Sequence, residues 1–360
     1  MSPIGRLLRP PRPRILALVD LVQDIDTLLP VLLAIEASPH LSLKIVVSRW
    51  LQKESPRTEA LLRRHALGFV YVRRRQIIDG AAPSLRGVDA VLAASESSHP
   101  AHAAAHALAL RARAAGVKTY GMQHGFEQIG LYGPQAAGAH FASETVFCWF
   151  PRAAAPGDLP EDTRARLAPV GRPSPPGGWR RDPAVSYDLG IFENLHWDRY
   201  SDSDRASFRE GLLAVAQALP QLRILLRTHP AGAWADQLGH ELAPFQNIVR
   251  ASAEEARGRL GGGADILRGL SRVITTPSTV ALDSAMAGIP VALAVSGGAS
   301  YAPLPVLDAP EGWVAFASGE AYDPGVLDQF RSRVLVAGDG APRIVERLGR
   351  DLVKTMAKLS

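Results

Sequence analysis

The chain alternates short runs of β-branched and leucine-rich residues with longer amphipathic runs, and it completes this pattern twice. "RILALVDL" (14–21), "LKIVVSR" (43–49), "FVYV" (69–72), "VDAVLAAS" (88–95), "VKTY" (117–120) and "ETVFCWF" (144–150) read as strands. Between them lie stretches with helical spacing, such as "DIDTLLPVLLAIEAS" (24–38) and "HPAHAAAHALALRARAAG" (99–116), the latter closed by Gly116. Strands separated by helices of this length specify βα units wound around a parallel sheet. From 151 to 183 the pattern gives way to a segment dense in Pro and Gly, which predicts a linker. The alternation then resumes with "YDLGIFEN" (187–194), "LRILLRTHP" (222–230), "SRVITTP" (271–277) and "IPVALAV" (289–295) as strands.

At 360 residues, the chain exceeds what one ordinary core serves and suits two. The expected divisions are a Rossmann-like first domain over 1–165, a Pro/Gly-rich linker over 166–184, a second Rossmann-like domain over 185–340, and a terminal helix over 341–360 that packs back on the first domain. The fold class expected is therefore α/β, with two Rossmann-like βα domains facing a central cleft.

No apolar run approaches the roughly 18 residues that span a bilayer, so the chain is expected to be cytoplasmic. Its charge is uneven, with 20 Lys/Arg against 14 Asp/Glu in residues 1–170 and 20 against 21 in the remainder. The basic runs Arg6–Arg14 and Arg73–Arg75 suit peripheral association with an anionic membrane face or a polyanionic glycan. Interleaved aromatics of a nucleic-acid-binding module are missing, which argues against nucleic acid as a partner. Cys148 stands alone in an apolar strand and reads as a small buried hydrophobe.

In open α/β sheets, ligands bind beyond the carboxyl ends of strands, where helix N-termini present free N–H groups. Three polar loops fall there. "TYGMQHGFEQIG" (119–130) carries Gln123, His124 and Glu127 among glycines that include Gly125, and His124 is the candidate proton acceptor. "RTHP" (227–230) offers Arg227, whose guanidinium fork suits phosphate oxygens, and His229. "TTPSTVALDSAMAGIPV" (275–291) turns at Pro277 and opens a helix with Ser278 and Thr279, whose amides and hydroxyls form a candidate phosphate cradle. Asp283 lies at i+4 from Thr279 on the same helix face. "LGIFENLHW" (189–197) adds Glu193, Asn194 and His196 at a strand end; Glu193 and Glu127 are candidates to meet as nucleophile or base and as acid.

Taken in order, His124-Gly125, Arg227-Thr228-His229-Pro230 and Thr276-Pro277-Ser278-Thr279 with Asp283 and Gly288-Ile289-Pro290 resemble the GT-B glycosyltransferases of bacterial surface polysaccharides. These include the capsule and lipopolysaccharide β-Kdo transferases and, more distantly, the CDP-glycerol glycerophosphotransferases. The resemblance implies that the second domain holds a nucleotide-sugar donor through Arg227, His229, Pro277, Ser278, Thr279 and Asp283. It assigns catalysis to His124, Glu127 and Glu193, and acceptor contacts to Gln123, Gly125, Asn194 and His196 in a first, acceptor-binding domain. CMP-Kdo is the first donor expected, with a growing glycan or lipid-linked oligosaccharide as acceptor. The first loop reads "MQHGF" rather than the "WHG" plus small residue of the glycerophosphotransferases, which favours a sugar donor.

A helix end and two basic groups neutralise a leaving nucleotide without help, so neither metal nor cofactor is expected. "SDSD" (201–204) imitates a metal-binding Asp-x-Asp but sits where a helix cap belongs. His99, His102 and His106 share one helix face without an acidic or Cys partner within the helix, and read as a histidine-bearing surface rather than a zinc site. Two alternatives share the architecture, a non-hydrolysing nucleotide-sugar 2-epimerase and a CDP-polyol phosphotransferase. A third, from another class, is a non-catalytic glycan- or nucleotide-binding partner of a polysaccharide assembly complex.

Overall fold

The structure is a computed structural model that describes residues 12–131, 139–179, 187–229, 232, 234–251, 263–320 and 322–359. Pro230 of the "RTHP" motif, most of the arginine run 6–14 and most of the glycine run 258–265 lie outside them.

The first sheet is built from β1 (Arg14–Val19), β2 (Ser42–Ser48), β3 (Phe69–Val72), β4 (Ala90–Ala94), β5 (Lys118–Met122), β6 (Thr145–Cys148) and β7 (Leu167–Pro169). Its order is β3-β2-β1-β4-β5-β6-β7, and every pairing is parallel. The second sheet is built from β8 (Tyr187–Glu193), β9 (Ile224–Thr228), β10 (Ile248–Ala251), β11 (Leu270–Thr275) and β12 (Val291–Leu293), in the order β10-β9-β8-β11-β12. It too is wholly parallel. In both sheets the strand order reverses beside the first strand, at β1/β4 and at β8/β11, and a crevice opens at such a reversal. Central strands show why the alternating pattern was so apolar: after Arg14, every residue of β1 is buried.

The first sheet runs on to Pro169, beyond the expected boundary at 165. A three-residue edge strand ending in proline carries little strand signal, because Pro cannot donate to a ladder and is confined to edges. The helix Gly340–Leu359 sets Ala341, Ile344, Leu348 and Leu352 into the core of the first sheet, beside Leu28, Val31 and Leu32 of the helix Asp24–Glu36. The chain therefore crosses between its two halves twice. The "SDSD" run is a cap: Ser201 Oγ accepts from the Asp204 amide at 3.1 Å, and the Asp204 carboxylate accepts from the Ser201 amide at 2.8 Å, opening the helix Asp202–Ala218.

The second core is not filled by its own half alone. Phe126 and Trp149, both from the first half, belong to the cluster beneath β11 and the helix Thr279–Met286. The Phe126 ring meets Tyr301 edge-on at 5.1 Å and Phe330 at 5.8 Å. Phe126→Ala is expected to cost about 3–5 kcal/mol of stability. Urea denaturation checks this; a loss below about 1 kcal/mol would mean that Phe126 is not an anchor between the halves.

Candidate active site

One wall of the crevice is made by the carboxyl ends of β1, β4 and β5. Asp24 opens its helix by accepting from the amides of Asp20 and Leu21 at 2.9 and 2.8 Å, and from the Ser95 hydroxyl. Burial is the leading cause that pushes Asp24 up to about 7, against those hydrogen bonds. Ser95 has φ 51°, a left-handed conformation that is uncommon outside glycine, at the strand-order reversal. Glu96 follows; it is bonded to His106 Nδ1 at 2.7 Å and accepts from the amides of Ala142 and Ser143 at 3.0 Å each. Ser97 Oγ meets His102 Nδ1 at 2.6 Å. The expected histidine surface is thus corrected: His102 is 4% exposed, and these side chains buttress the crevice from behind. Nor do they converge on one point, since His99 accepts from the Ala101 amide, His102 pairs with Ser97 and His106 with Glu96.

His124 stands where β5 ends. Its carbonyl accepts from Thr27 Oγ1 at 3.4 Å, its amide donates to Gln128 Oε1 at 2.8 Å, and its ring meets His102 edge-on at 5.4 Å. Its Nδ1 is buried without a hydrogen-bond partner. Burial first, then the neighbouring His102, lowers His124 to about 3, so the resting imidazole is neutral. Gln123 does not face an acceptor: its amide accepts from Trp149 N at 2.8 Å and donates to the Gly125 carbonyl at 2.9 Å, strapping the loop to itself. Of the loop glycines, Gly130 alone has positive φ, at 91°, while Gly121 lies inside β5.

The second wall is made by the ends of β8, β9 and β11. Arg227 is held in a dry setting, where burial lowers it to about 10; the negative charge of Asp26 in the first half opposes this and the positive charge of Arg57 adds to it. Asp26 is in turn hydrogen-bonded by Arg57 at 3.1 Å. His229 is lowered to about 4, by burial and then by His196 and Arg227. The His196 and His229 rings stack at 4.9 Å, and Trp197, 49% exposed, lies 4.6 Å from His196. Both ring nitrogens of His196 are buried and unbonded. Asn194 ties β8 to β11, its amide donating to Thr276 Oγ1 at 3.1 Å and its side chain to the Pro277 carbonyl at 3.1 Å.

Several expected assignments change once partners are seen. Glu193 is 3% exposed and accepts from the Leu195 amide at 2.8 Å, while Glu127 forms an ion pair with Arg199 at 2.7 Å. The two carboxylates are thus committed to separate structural partners, one within its domain and one across the domains. Arg199 also donates to the Pro277 carbonyl at 2.8 Å, so it pins the turn before Ser278. Ser278 caps its own helix by accepting from the Val280 amide at 3.3 Å, and Thr279 Oγ1 accepts from the Phe126 amide at 2.9 Å. Both hydroxyl oxygens of the expected phosphate cradle thus accept from amides, which leaves their O–H groups as the donors they could offer. A Cβ at Gly125 would stand 3.5 Å from Thr279 Oγ1, so this residue faces the second domain. Asp283 pairs with Arg172 at 2.6 Å and is pushed up to about 6 by burial, which that arginine opposes. Of the "RRR" run, Arg74 turns inward to Asp20 at 3.2 Å and Arg75 pairs with Asp79 at 3.4 Å. Cys148 is buried and its thiol is raised to about 12.

Thr27 touches the His124 carbonyl, and the charge of its neighbour Asp26 acts on Arg227, so the helix Asp24–Glu36 stands between the end of β5 and the end of β9. Sequence reasoning missed Asp24, Glu96, Arg172 and Arg199, and set His102 aside as part of a histidine-bearing surface. Glu96 carried a usable signal, because "SESSHP" is a polar run at the end of an apolar strand, as the three chosen loops are.

The depressed histidines have a stability consequence. His102, facing His99, Glu96, Arg74, His106 and His124, is lowered to about 4 by burial first. The unfolded chain therefore takes up a proton near pH 6.5 that the folded chain refuses until about 4, and the contribution is lost as pH falls through that window. Asp24 acts oppositely, its contribution fading as pH rises from about 4 to about 7. His102→Gln is expected to lose about 3 kcal/mol less than the parent between pH 7 and pH 4. Urea titrations at the two pH values check this, and an identical pH dependence in both proteins refutes it.

No protein-family model and no curated protein matches the chain. Solved structures do. A Listeria monocytogenes protein assigned as a UDP-N-acetylglucosamine 2-epimerase matches at TM-score 0.67 and 12% identity, over 93% of this chain and 95% of that one. The Methanocaldococcus jannaschii UDP-GlcNAc 2-epimerase in complex with UDP-GlcNAc and UDP matches at TM-score 0.60 and 12% identity, over 93% and 99%. The spinosyn rhamnosyltransferase SpnG, complexed with thymidine diphosphate, matches at TM-score 0.55 and 12% identity, over 93% and 99%. With its two parallel sheets and interleaved helices, the chain has the GT-B architecture that these enzymes share.

Proposed function

We propose that the chain is a glycosyltransferase that moves a sugar from a nucleotide donor to a hydroxyl acceptor in the crevice between its sheets. The carrying observation is a neutral, buried imidazole at the end of β5 and a desolvated guanidinium at the end of β9, linked through Thr27 and Asp26 of the helix Asp24–Glu36. In this reading Arg227 takes a phosphate oxygen of the donor, as a guanidinium with no hydrogen bond or ion pair to another described residue is free to do. The acceptor O–H bond breaks as its proton passes to His124, the oxygen bonds to the anomeric carbon, and the carbon–phosphate-oxygen bond breaks with its electron pair leaving on the nucleotide. A base lowered to about 3 is weak on its own. The anionic donor supplies the correction, since a negative charge nearby favours imidazolium and draws the basicity toward the working pH.

The motifs Arg227-Thr228-His229 and Thr276-Pro277-Ser278-Thr279 support a cytidine-nucleotide donor, with CMP-Kdo first, and a bacterial surface glycan or lipid-linked acceptor. Transfer without a metal is part of this proposal. So is peripheral membrane association through the basic first half; no helix among the described residues is long and apolar enough to cross a membrane. A second reading, nucleotide-sugar 2-epimerisation, is favoured by the shared architecture with an epimerase that binds UDP-GlcNAc.

Incubation of the protein with CMP-Kdo and with UDP-GlcNAc, each with and without a glycan acceptor, separates the readings. Transfer requires the acceptor; an epimerised product from UDP-GlcNAc alone would replace the transferase proposal with the other. In the transfer assay His124→Ala is expected to lower kcat by about 10²–10⁴-fold, and an undiminished kcat removes His124 from the chemistry.

A further inference from the structure

The segment leaving β7 turns at Gly171, whose φ is 86° and where a Cβ would come within 2.7 Å of the Val336 carbonyl. That close turn delivers Arg172 to the junction of the two halves. Its side chain is 8% exposed, its guanidinium lies 4.3 Å over the Trp149 ring and 5.3 Å from the Trp179 ring, and one nitrogen meets Asp283 at 2.6 Å. The other two, Nε and Nη1, are buried with no hydrogen-bond partner. Aromatic faces hold a guanidinium plane and answer its charge, but they satisfy none of the in-plane N–H donors. A single carboxylate on one nitrogen leaves most of a five-donor fork unused.

Contacts lead from this arginine to the reacting residues. Asp283 lies one turn from Thr279; Thr279 Oγ1 takes the Phe126 amide; two residues earlier stands His124, whose carbonyl takes Thr27 beside Asp26. Around this junction Arg57, Arg172 and Arg227 face Asp26 and Asp283, three positive charges against two negative. A cluster with one positive charge in excess, whose Arg172 keeps buried, unused guanidinium donors, is suited to an oxyanion.

We propose that Arg172 is a second anion-binding arginine of the crevice, one of its unpartnered donors, at Nε or Nη1, taking a phosphoryl oxygen of a nucleotide, with Asp283 as the positioning residue that holds the guanidinium. This rests on the nucleotide-donor reading above. It places a donor contact in the connection between the sheets, so that phosphate binding reports directly on how the halves are joined.

The test titrates CMP, CDP and UDP, and the nucleosides cytidine and uridine, into the parent protein, Arg172→Lys, and Arg172→Gln combined with Asp283→Asn. Arg172→Lys keeps the charge and loses the fork; the double variant removes both charges and leaves neither uncompensated. For whichever nucleotide the parent binds, both variants are expected to bind at least 10-fold more weakly, with nucleoside affinity unchanged within about twofold. Equal nucleotide affinity in the parent and a folded variant overturns the role of Arg172 while leaving the donor reading intact. A parent that binds none of the nucleotides overturns the donor reading and this proposal together. Because Trp149 and Trp179 flank the guanidinium, saturating nucleotide is also expected to shift the tryptophan emission of the parent, and nucleoside to leave it unmoved. An emission unmoved by a nucleotide that binds counts against Arg172 even where the variants fail to fold.

Discussion

The hydrogen bond from the Phe126 amide to Thr279 Oγ1, with the Phe126 ring buried beside Tyr301 and Phe330, is the contact on which the crevice depends. It ties the loop that carries His124 to the first turn of the helix Thr279–Met286, and so fixes one sheet's strand tips against the other's. The neighbouring contacts are electrostatic and act in the same place: Glu127 with Arg199, and Arg172 with Asp283. An apolar plug supplies most of the energy of such a junction, while charged pairs chiefly fix register, since desolvation offsets much of their attraction. The glycine after His124 then has a plain physical role, allowing the loop to run against Thr279.

Desolvation is the second constraint. His102, His124 and His229 are all lowered, Asp24 and Asp283 are raised, and Arg227 is lowered, each with burial as the leading cause. The histidines thus rest neutral, each able to donate from one ring nitrogen and accept at the other. In so dry a setting an arriving anion acts on every one of these groups at once, because charge interactions are screened least where water is excluded.

The sheets, most helices and the caps were legible because their signals are local. Branched runs bounded by turn residues placed β1, β5, β8, β9 and β11, and Ser201 with Asp204 announced its helix. The strand-tip rule also located the loops at His124, Arg227 and Ser278. What could not be read was partnership. Glu193, Gln123 and Asp283 look from sequence like groups awaiting a ligand, yet Glu193 accepts from the Leu195 amide, Gln123 bonds the loop around Gly125, and Asp283 forms an ion pair with Arg172. Arg172 and Arg199 show the converse, because their importance comes from residues more than 70 positions away. A buried polar group must find a partner, and sequence states the need without naming the partner. Likewise β7 was lost in the linker, since three residues ending in proline hold no periodicity.

The two walls differ in chemistry, and the difference bears on which reaction the crevice suits. The first-sheet wall offers neutral imidazoles and hydroxyl-bearing side chains: His124, His102 with Ser97, and Ser95 on a carboxyl group raised to about 7. Groups of that kind donate to and accept from hydroxyls without preferring a charge. The second-sheet side offers the imidazoles of His229 and His196 as well, and adds Arg227 and, from the connecting segment, Arg172, both desolvated cations suited to phosphate oxygens. An enzyme that rearranges one nucleotide-sugar and one that joins two molecules both need an anion grip for the nucleotide, and the second needs in addition a surface for an uncharged hydroxyl. The neutral groups of the first-sheet wall are of the kind that would meet such a hydroxyl if the proposed transfer takes place there.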